Sequence, residues 1–471
     1  MVPIRSPGIL GAFGPAPTDG ENMHPTRWRR ALCLTAAFVT ALVARGEAQP
    51  ERARPNAPPD LCPRHDADSP RRPASAGSVV SAAPPVRIHF CHPQLRPLAE
   101  RMLPIAVRSY QSETGSLGFP RTLPDTGGGG PELDIYLVNL GRGGRAQAND
   151  EGPDAARAKT SFIVIDYLTT EANDFLASYI AHELNHVLQY VGGVQVTGSF
   201  AEATAAYVDD VLFPRADMLP SMVADFQSTP YRPVYFHDER AYDYGSAIFV
   251  AYLVKKFGMG IVRDVFAQGD EDPYPVLSRL LAARSTTVQD AVRKFATWRV
   301  RTGRYHNAAL FPNGARLPEV TLDHAVNAFD LVTKDSVMVR PRNAPQHLGS
   351  AFVGIDLTTP FSGGLAVTVT PDAGAGALAF DLLESDRLAP LAGAVLKAGS
   401  RRTLCTGVLR PGARLWLVVT NLGTGTRVTM TPDREATRTQ HGFTAAFTRL
   451  PESSTSGGRV VRCDVGGAGG G

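Results

Sequence analysis

The residues best suited to chemistry lie in one run, Ser178-Tyr-Ile-Ala-His182-Glu183-Leu-Asn-His186-Val-Leu-Gln-Tyr190, whose centre reads His-Glu-x-x-His. On an α-helix, a spacing of four puts the imidazoles of His182 and His186 one turn apart on the same face. Two imidazoles so placed can share one tetrahedral zinc ion. Glu183 lies beside them, where a carboxylate can take a proton from a water at the metal. A catalytic zinc has three protein ligands and one open position. In the extended pattern a third histidine would fall at position 192, and the chain has Gly192 there. Glu202 is the best candidate for the third ligand. It follows His186 after a glycine break, and a second helix folding back would present its carboxylate to the two imidazoles. Asp209, seven residues further on the same helical face, is placed to accept a hydrogen bond from a ligand histidine and fix its tautomer. It is also the alternative third ligand. Tyr244 and His237 are candidates for stabilising an oxyanion, with helix packing the competing role for Tyr244. His89, His92 and His324 have no ligand spacing, and Asp166 reads as a turn residue.

These groups need elements to hold them. Leu176, Ile180, Leu184, Val187, Leu188 and Val191 form an apolar stripe, which predicts one helix ending at Gly192-Gly193, with the histidines at the border of the stripe. The alanine-rich stretch Ser199 to Val211 predicts a second helix that another backbone can approach closely. Before them, 86–90, 133–138 and 161–166 read as strands, and 95–114 as a helix. The Gly-rich stretch 141–154 reads as a polar loop. After them, further helices are expected at 218–226, 242–257, 261–266, 274–283 and 288–301. From about Leu317 short apolar runs alternate with Gly, Pro and Asp turns, including 351–355, 364–370, 378–382, 394–396, 414–420 and 426–430. That pattern reads as a β-sandwich. The fold class expected is therefore α+β followed by an all-β sandwich.

With 471 residues and a formal charge of +3, the chain is long enough for two folded domains, and nothing in its charge points to nucleic acid. Arg27, Arg29 and Arg30 precede an apolar core from Ala31 to Ala44 and small residues around Ala48, as in an export signal, with Met23 as the expected true start. The apolar run is shorter than the roughly 20 residues a membrane span needs, so no stable span is expected in the mature chain. Once Cys33 leaves with the signal, Cys62, Cys91, Cys405 and Cys463 remain, enough for two disulfides in an oxidising compartment. Chain order favours Cys62–Cys91 and Cys405–Cys463. The expected organisation is a signal over 1–48, a flexible or pro-like linker over 49–85, a catalytic domain over 86–315, a sandwich over 316–450 and a Gly-rich tail over 451–471.

The second helix has the form Phe-x-Glu-Ala-x-Ala-x-Tyr-x-Asp, carried by Phe200, Glu202, Ala203, Ala205, Tyr207 and Asp209. Together with His-Glu-x-x-His it resembles the gluzincin metallopeptidases, whose third zinc ligand is a glutamate. Ala203 stands where that family more commonly has glycine, and the interval from His186 to Glu202 is a little shorter than usual. More narrowly, the Asp-Ile-Tyr-Leu strand at 134–137 and Tyr242-Asp-Tyr244-Gly245 are similar to features of secreted metalloproteases of myxobacteria. The resemblance covers roughly residues 86–310. It implies a zincin-like α+β domain and Zn2+ held by His182, His186 and Glu202, with Glu183 as general base. It further implies hydrolysis of protein or peptide substrates outside the cytoplasm. Two other functions fit the residues: a weakly catalytic zinc-binding surface protein acting through its β-sandwich, and a zinc hydrolase of a non-peptide bond. The intact Glu183 weighs against the first of these.

Overall fold

Strands β1 (Gly77–Ala82), β2 (Pro85–Phe90), β3 (Leu133–Val138), β4 (Ala146–Glu151) and β5 (Thr160–Asp166) form one mixed sheet in the order β1-β2-β3-β5-β4. In this computed structural model, β2, β3 and β5 run parallel, while β1 and β4 pair antiparallel at the two edges. The structure describes residues 60–451 except 68, 126, 142–145, 152–157, 170–172, 193–197, 238–240, 269–272, 359–360, 386, 411 and 424–439. Alternation assigns the two faces of the sheet. Ile88, Ile135, Ile163 and Ile165 enter the main core, whereas Tyr136, Val138, Phe162 and Val164 form a smaller cluster on the other face.

Helices α1 (Arg96–Gln111) and α2 (Asn173–Gly192) pack on the main-core face. Leu176, Ile180, Leu184, Val187 and Leu188 of the α2 stripe are buried as their spacing predicts, Val191 partly so, and Ser178, His182, Glu183, Asn185, His186 and Gln189 on the remaining faces are buried too. The histidines therefore lie on a largely buried central helix, whose start is exposed at Phe175. Helices α3 (Ser199–Leu212), α4 (Leu219–Ser228), α5 (Tyr242–Gly245), α6 (Ala247–Phe257), α7 (Gly260–Ala267), α8 (Pro273–Ala282) and α9 (Val288–Arg299) complete the helical part. A Cβ on Gly192 would lie 2.6 Å from the Phe266 carbonyl, so the residue that ends α2 is also the one that lets α7 close on it.

Strands β6 (His324–Asn327), β7 (Val337–Val339), β8 (Ser350–Leu357), β9 (Gly364–Pro371), β10 (Ala377–Glu384), β11 (Ala392–Leu396), β12 (Arg402–Cys405), β13 (Ala413–Gly423) and β14 (Phe443–Leu450) follow, with helix α10 (Ala328–Thr333) between β6 and β7. They form two sheets, β11-β10-β13-β8-β6 and β12-β9-β14-β7. Leu415, Leu417 and Val419 of β13 share a core with Leu365, Val367 and Phe443 of the other sheet. The alternate residues Trp416 and Val418 face outward, onto Ala296 of α9 and Val300. The molecule is thus a mixed α/β part joined to a β-rich region.

Several expectations need correction. The stretch 141–154, read as a loop, contains β4. Its residues, Ala-Gln-Ala-Asn-Asp-Glu, have little strand propensity, and the strand exists because β5 supplies a pairing partner and small Ala146 and Ala148 fit beneath α2. Within the stretch 49–85, expected as a flexible linker, the described residues 60–67 and 69–85 belong to the fold. Cys62 is disulfide-bonded to Cys91, and β1 pairs with β2. The helix expected over 242–257 is broken at Ser246, whose hydroxyl bonds the Asp243 carbonyl at 2.6 Å. The export signal, Gly193, the strand at 426–430, Cys463 and the tail from 457 lie outside the described residues.

Candidate metal centre

The backbone of α2 presents both imidazoles on one face, and Gly198, at φ +79°, starts α3 so that it returns alongside α2. Glu202 in the first turn of α3 then meets both histidines. Its Oε2 lies 3.2 Å from His182 Nε2 and 3.4 Å from His186 Nε2, and the two Nε2 atoms are 3.1 Å apart. A tetrahedral ion with bonds near 2.0–2.1 Å needs ligand atoms about 3.3 Å from one another. The three atoms therefore already form one triangular face of such a shell, and all three residues are buried. Two imidazoles and one carboxylate are a donor set that suits zinc.

Each histidine is held from behind through Nδ1. Asp209 Oδ2 faces Nδ1 of His182 at 3.4 Å. Gln189 Oε1 lies 3.1 Å from Nδ1 of His186. The Gln189 amide donates in turn to Asn185 Oδ1 at 2.7 Å, and the Asn185 amide donates to Glu113 Oε2 at 3.0 Å. The direction of donation along this chain places a proton on His186 Nδ1 and leaves Nε2 free to bind a metal. Asp209 is legible from the sequence, whereas Gln189 emerges from the structure. Its spacing of three from His186 on one helix was the available signal; Glu113, 72 residues before Asn185, gave none.

Glu183 is held by the edge strand, its Oε2 accepting the Ala148 N–H at 2.8 Å. Burial pushes its carboxyl up, with the nearby Glu202 adding to the effect, against the pull of His182 and His186. Burial also pushes up Asp209 and Glu113. For Glu202 burial acts in the same direction, but His186 and His182 outweigh it and hold the carboxyl well below the usual range. Burial opposes charge on His182, yet Asp209 and Glu202 raise its pKa well above 6.5. The cluster thus holds one carboxyl pushed up, one held down and two oriented imidazoles in one buried space.

The Tyr244 ring lies against His182, with centroids 5.5 Å apart. Burial and the charges of Glu202 and Glu183 keep its phenol protonated, so it can donate. His237 is paired through Nδ1 with Asp243 at 2.6 Å, beside Tyr244 in sequence. The other candidates have local roles. His92 accepts the Gln94 N–H, His324 bonds the Arg340 carbonyl, and Asp166 accepts the Leu168 N–H in a turn. His89 belongs to an ion cluster on the opposite face of the sheet.

Residues 161–371, just under half of the chain, match a protein family described as a family of unknown function (DUF6055). The match runs from β5 through the helices into β9. No curated protein matches the sequence. Among solved structures, the chain is similar to the pre-peptidase C-terminal domain of collagenase from Bacillus anthracis, at 8% identity and TM-score 0.18, covering 28% of this chain and all of that one. It is also similar to PliG of Aeromonas hydrophila, a periplasmic inhibitor of g-type lysozyme, at 15% identity and TM-score 0.15, with the same coverage. A third likeness is to BtGH115A, a 4-O-methyl-alpha-glucuronidase, at 9% identity and TM-score 0.16, covering 58% of this chain and 42% of that one.

Proposed function

We propose that this chain is an exported zinc metallopeptidase of gluzincin type. The observation that carries the reading is the convergence of Nε2 of His182, Nε2 of His186 and a Glu202 oxygen at 3.1–3.4 Å, with Glu183 beside them. The zincin-like reading of the α/β part is supported by the mixed sheet, whose antiparallel edge strand β4 runs beside the helix of the two histidines. The region from β6 onward is read as the β-sandwich. A zinc ion held by the three ligands would supply Lewis acidity, polarising a peptide carbonyl and lowering the pKa of water towards about 7.

The residues of the chain do the rest. Asp209 and Gln189 orient the imidazoles. Glu183 accepts the proton of the attacking water and passes it to the leaving amine, aimed by the Ala148 N–H. Tyr244, protonated and next to His182, donates to the developing oxyanion. The test is Glu183→Gln in the full chain, with zinc content and cleavage of an unfolded protein substrate measured together. Zinc content should stay at the wild-type level while cleavage falls by about 10²–10⁴-fold, the usual share of a general base. Equal cleavage by both proteins would remove the assignment. A wild-type protein that binds zinc and cleaves no peptide, yet hydrolyses an ester, would move the reading to a non-peptide bond.

A further inference from the structure

The segment from Thr229 to His237 follows α4 on the side towards α5, which carries Tyr244. It is held from two sides. From the helical side, the Tyr242 hydroxyl donates to the Pro233 carbonyl at 2.9 Å and the Tyr274 hydroxyl to the Val234 carbonyl at 3.2 Å. From the β-rich side, the Ser350 N–H donates to the Pro230 carbonyl at 2.8 Å and the Gln346 N–H to the Tyr231 carbonyl at 2.9 Å. The Tyr235 hydroxyl meets His347 Nδ1 at 3.1 Å. The backbones approach so closely that a Cβ on Gly349 would lie 2.1 Å from the Tyr231 carbonyl oxygen.

The β-rich partner in these contacts is itself rigidly set. The Leu348 N–H donates to the Asn421 carbonyl, the Asn421 N–H returns to the Gly349 carbonyl, and the Asn421 amide donates to the Pro345 carbonyl. Leu348 is fully buried at φ +60°, a conformation that persists in a branched residue only where the surroundings enforce it. The rest of the junction is equally committed. Arg293 makes a bidentate pair with Asp381 at 2.7 and 2.8 Å, and Arg301 donates to the Glu384 carbonyl at 2.7 Å. The Thr321 N–H reaches the Gln227 carbonyl at the end of α4. A tethered binding module would leave this junction loose and polar.

We propose that the β-rich region is a positioning element of the active site: residues 345–350 clamp the 229–237 segment and so fix His237 and Tyr244 relative to the metal ligands. The idea rests on the peptidase reading for the roles of His237 and Tyr244. The clamp itself rests on the contacts alone. The metal ligands stand on α2 and α3, outside the clamp, so binding of metal and placement of the proton donors are separable in this fold.

The test is Gly349→Ala in the full chain, followed by zinc content, amide hydrogen exchange over 229–244 and steady-state cleavage of a peptide. The added methyl must push the Tyr231 carbonyl away. Zinc content should match wild type, exchange over 229–244 should rise at least about tenfold, and kcat should fall by up to about 10²-fold, the effect of a 1 Å misplacement. Exchange over 229–244 that stays at wild-type rates in the folded variant would overturn the proposal. So would loss of zinc in step with activity. If Gly349→Ala does not fold, Tyr235→Phe adds no atom and deletes only the hydroxyl at His347; exchange over 229–237 should rise, and an unchanged rate would overturn the clamp. If the wild-type protein cleaves no peptide, the peptidase reading fails, while the exchange measurement still decides the clamp.

Discussion

The first sheet carries a buried histidine–carboxylate cluster on each face, and the two are built to opposite ends. On one face Asp134 accepts from His89 Nε2 at 2.8 Å and pairs with Arg72. Arg72 also makes a two-point contact with Glu151, at 2.7 and 2.5 Å, and reaches Asp125 at 2.8 Å. Arg87 pairs with Glu132. The chain supplies its own cations there. On the other face Glu202 meets two imidazoles and the Tyr244 hydroxyl, Asp209 meets the His182 imidazole, and Glu183 meets a backbone N–H. Among the described residues, no lysine or arginine forms an ion pair with those three carboxylates. Burying several carboxyls without a matching cation is costly. A histidine beside an acid therefore says little by itself; what distinguishes a metal centre from a structural ion cluster is whether the fold already holds the positive charge.

Breaking the self-supplied cation should have the largest effect on the fold. Arg72→Met takes the nearest cation from buried Asp134 and leaves it His89 at 2.8 Å and Arg87 at 4.0 Å, and removal of one partner from a buried pair costs about 3–5 kcal/mol. Urea unfolding should show that loss, with zinc content per folded molecule unchanged. A loss under about 1 kcal/mol would mean that the cluster is not the structural counterpart described above. On the metal side, Glu202→Ala should leave the fold standing, because it removes a carboxylate that lacks a fixed cation. It should weaken zinc binding by more than the 10–100-fold typical of outer partners of a ligand. Competition with a metal indicator measures this. Unchanged affinity would shift the third ligand to Asp209.

The same contrast explains what could be read from the sequence. The candidate metal centre uses two consecutive helices, so its spacing is local: four residues from His182 to His186, a glycine break, then Glu202 and Asp209. The ion cluster draws on Arg72, His89, Asp125, Asp134 and Glu151, which no periodicity links. Segment 60–85 looked featureless because its stability comes from distant partners, including the disulfide to Cys91. Strand β4 escaped for the same reason. Its residues do not favour a strand, and only β5 and the small space under α2 make it one. The strands with strong β-branched or aromatic content, such as Leu133–Val138 and Ser350–Leu357, were plain. Their partners were not, because register depends on the tertiary fold.

The smallest effect separates the clusters by pH. In the metal-free protein, burial raises Glu183 above 4.5 and Asp209 above 3.8. An acid raised in the folded state favours its protonated form, so it costs stability as pH climbs above the unfolded value. His182 is raised above 6.5 because Asp209 and Glu202 outweigh burial, so it contributes stability below pH 6.5 that is lost as pH climbs through its folded value. Glu202, lowered by the two histidines against burial, acts in the opposite sense, contributing above 4.5 and losing that contribution only as pH falls. Above roughly pH 5, then, the groups of this site that still titrate act in one direction, and their contribution in the chelated protein should fall as pH rises to 8. His65, His347 and His441, lowered by burial, act in the opposite sense with or without metal. The slope should be on the order of 1 kcal/mol per pH unit for each proton that the folded state retains and the unfolded chain has released. Zinc should cancel the slope, because a bound cation takes the place of the protons that these groups otherwise retain. Arg72, whose pKa is raised further because Glu151, Tyr136 and Asp125 outweigh burial, stays charged throughout that range and adds no slope. Thermal melts from pH 5 to 8, with chelator and with zinc, make the comparison. Parallel curves would mean that protons and metal do not compete for one centre.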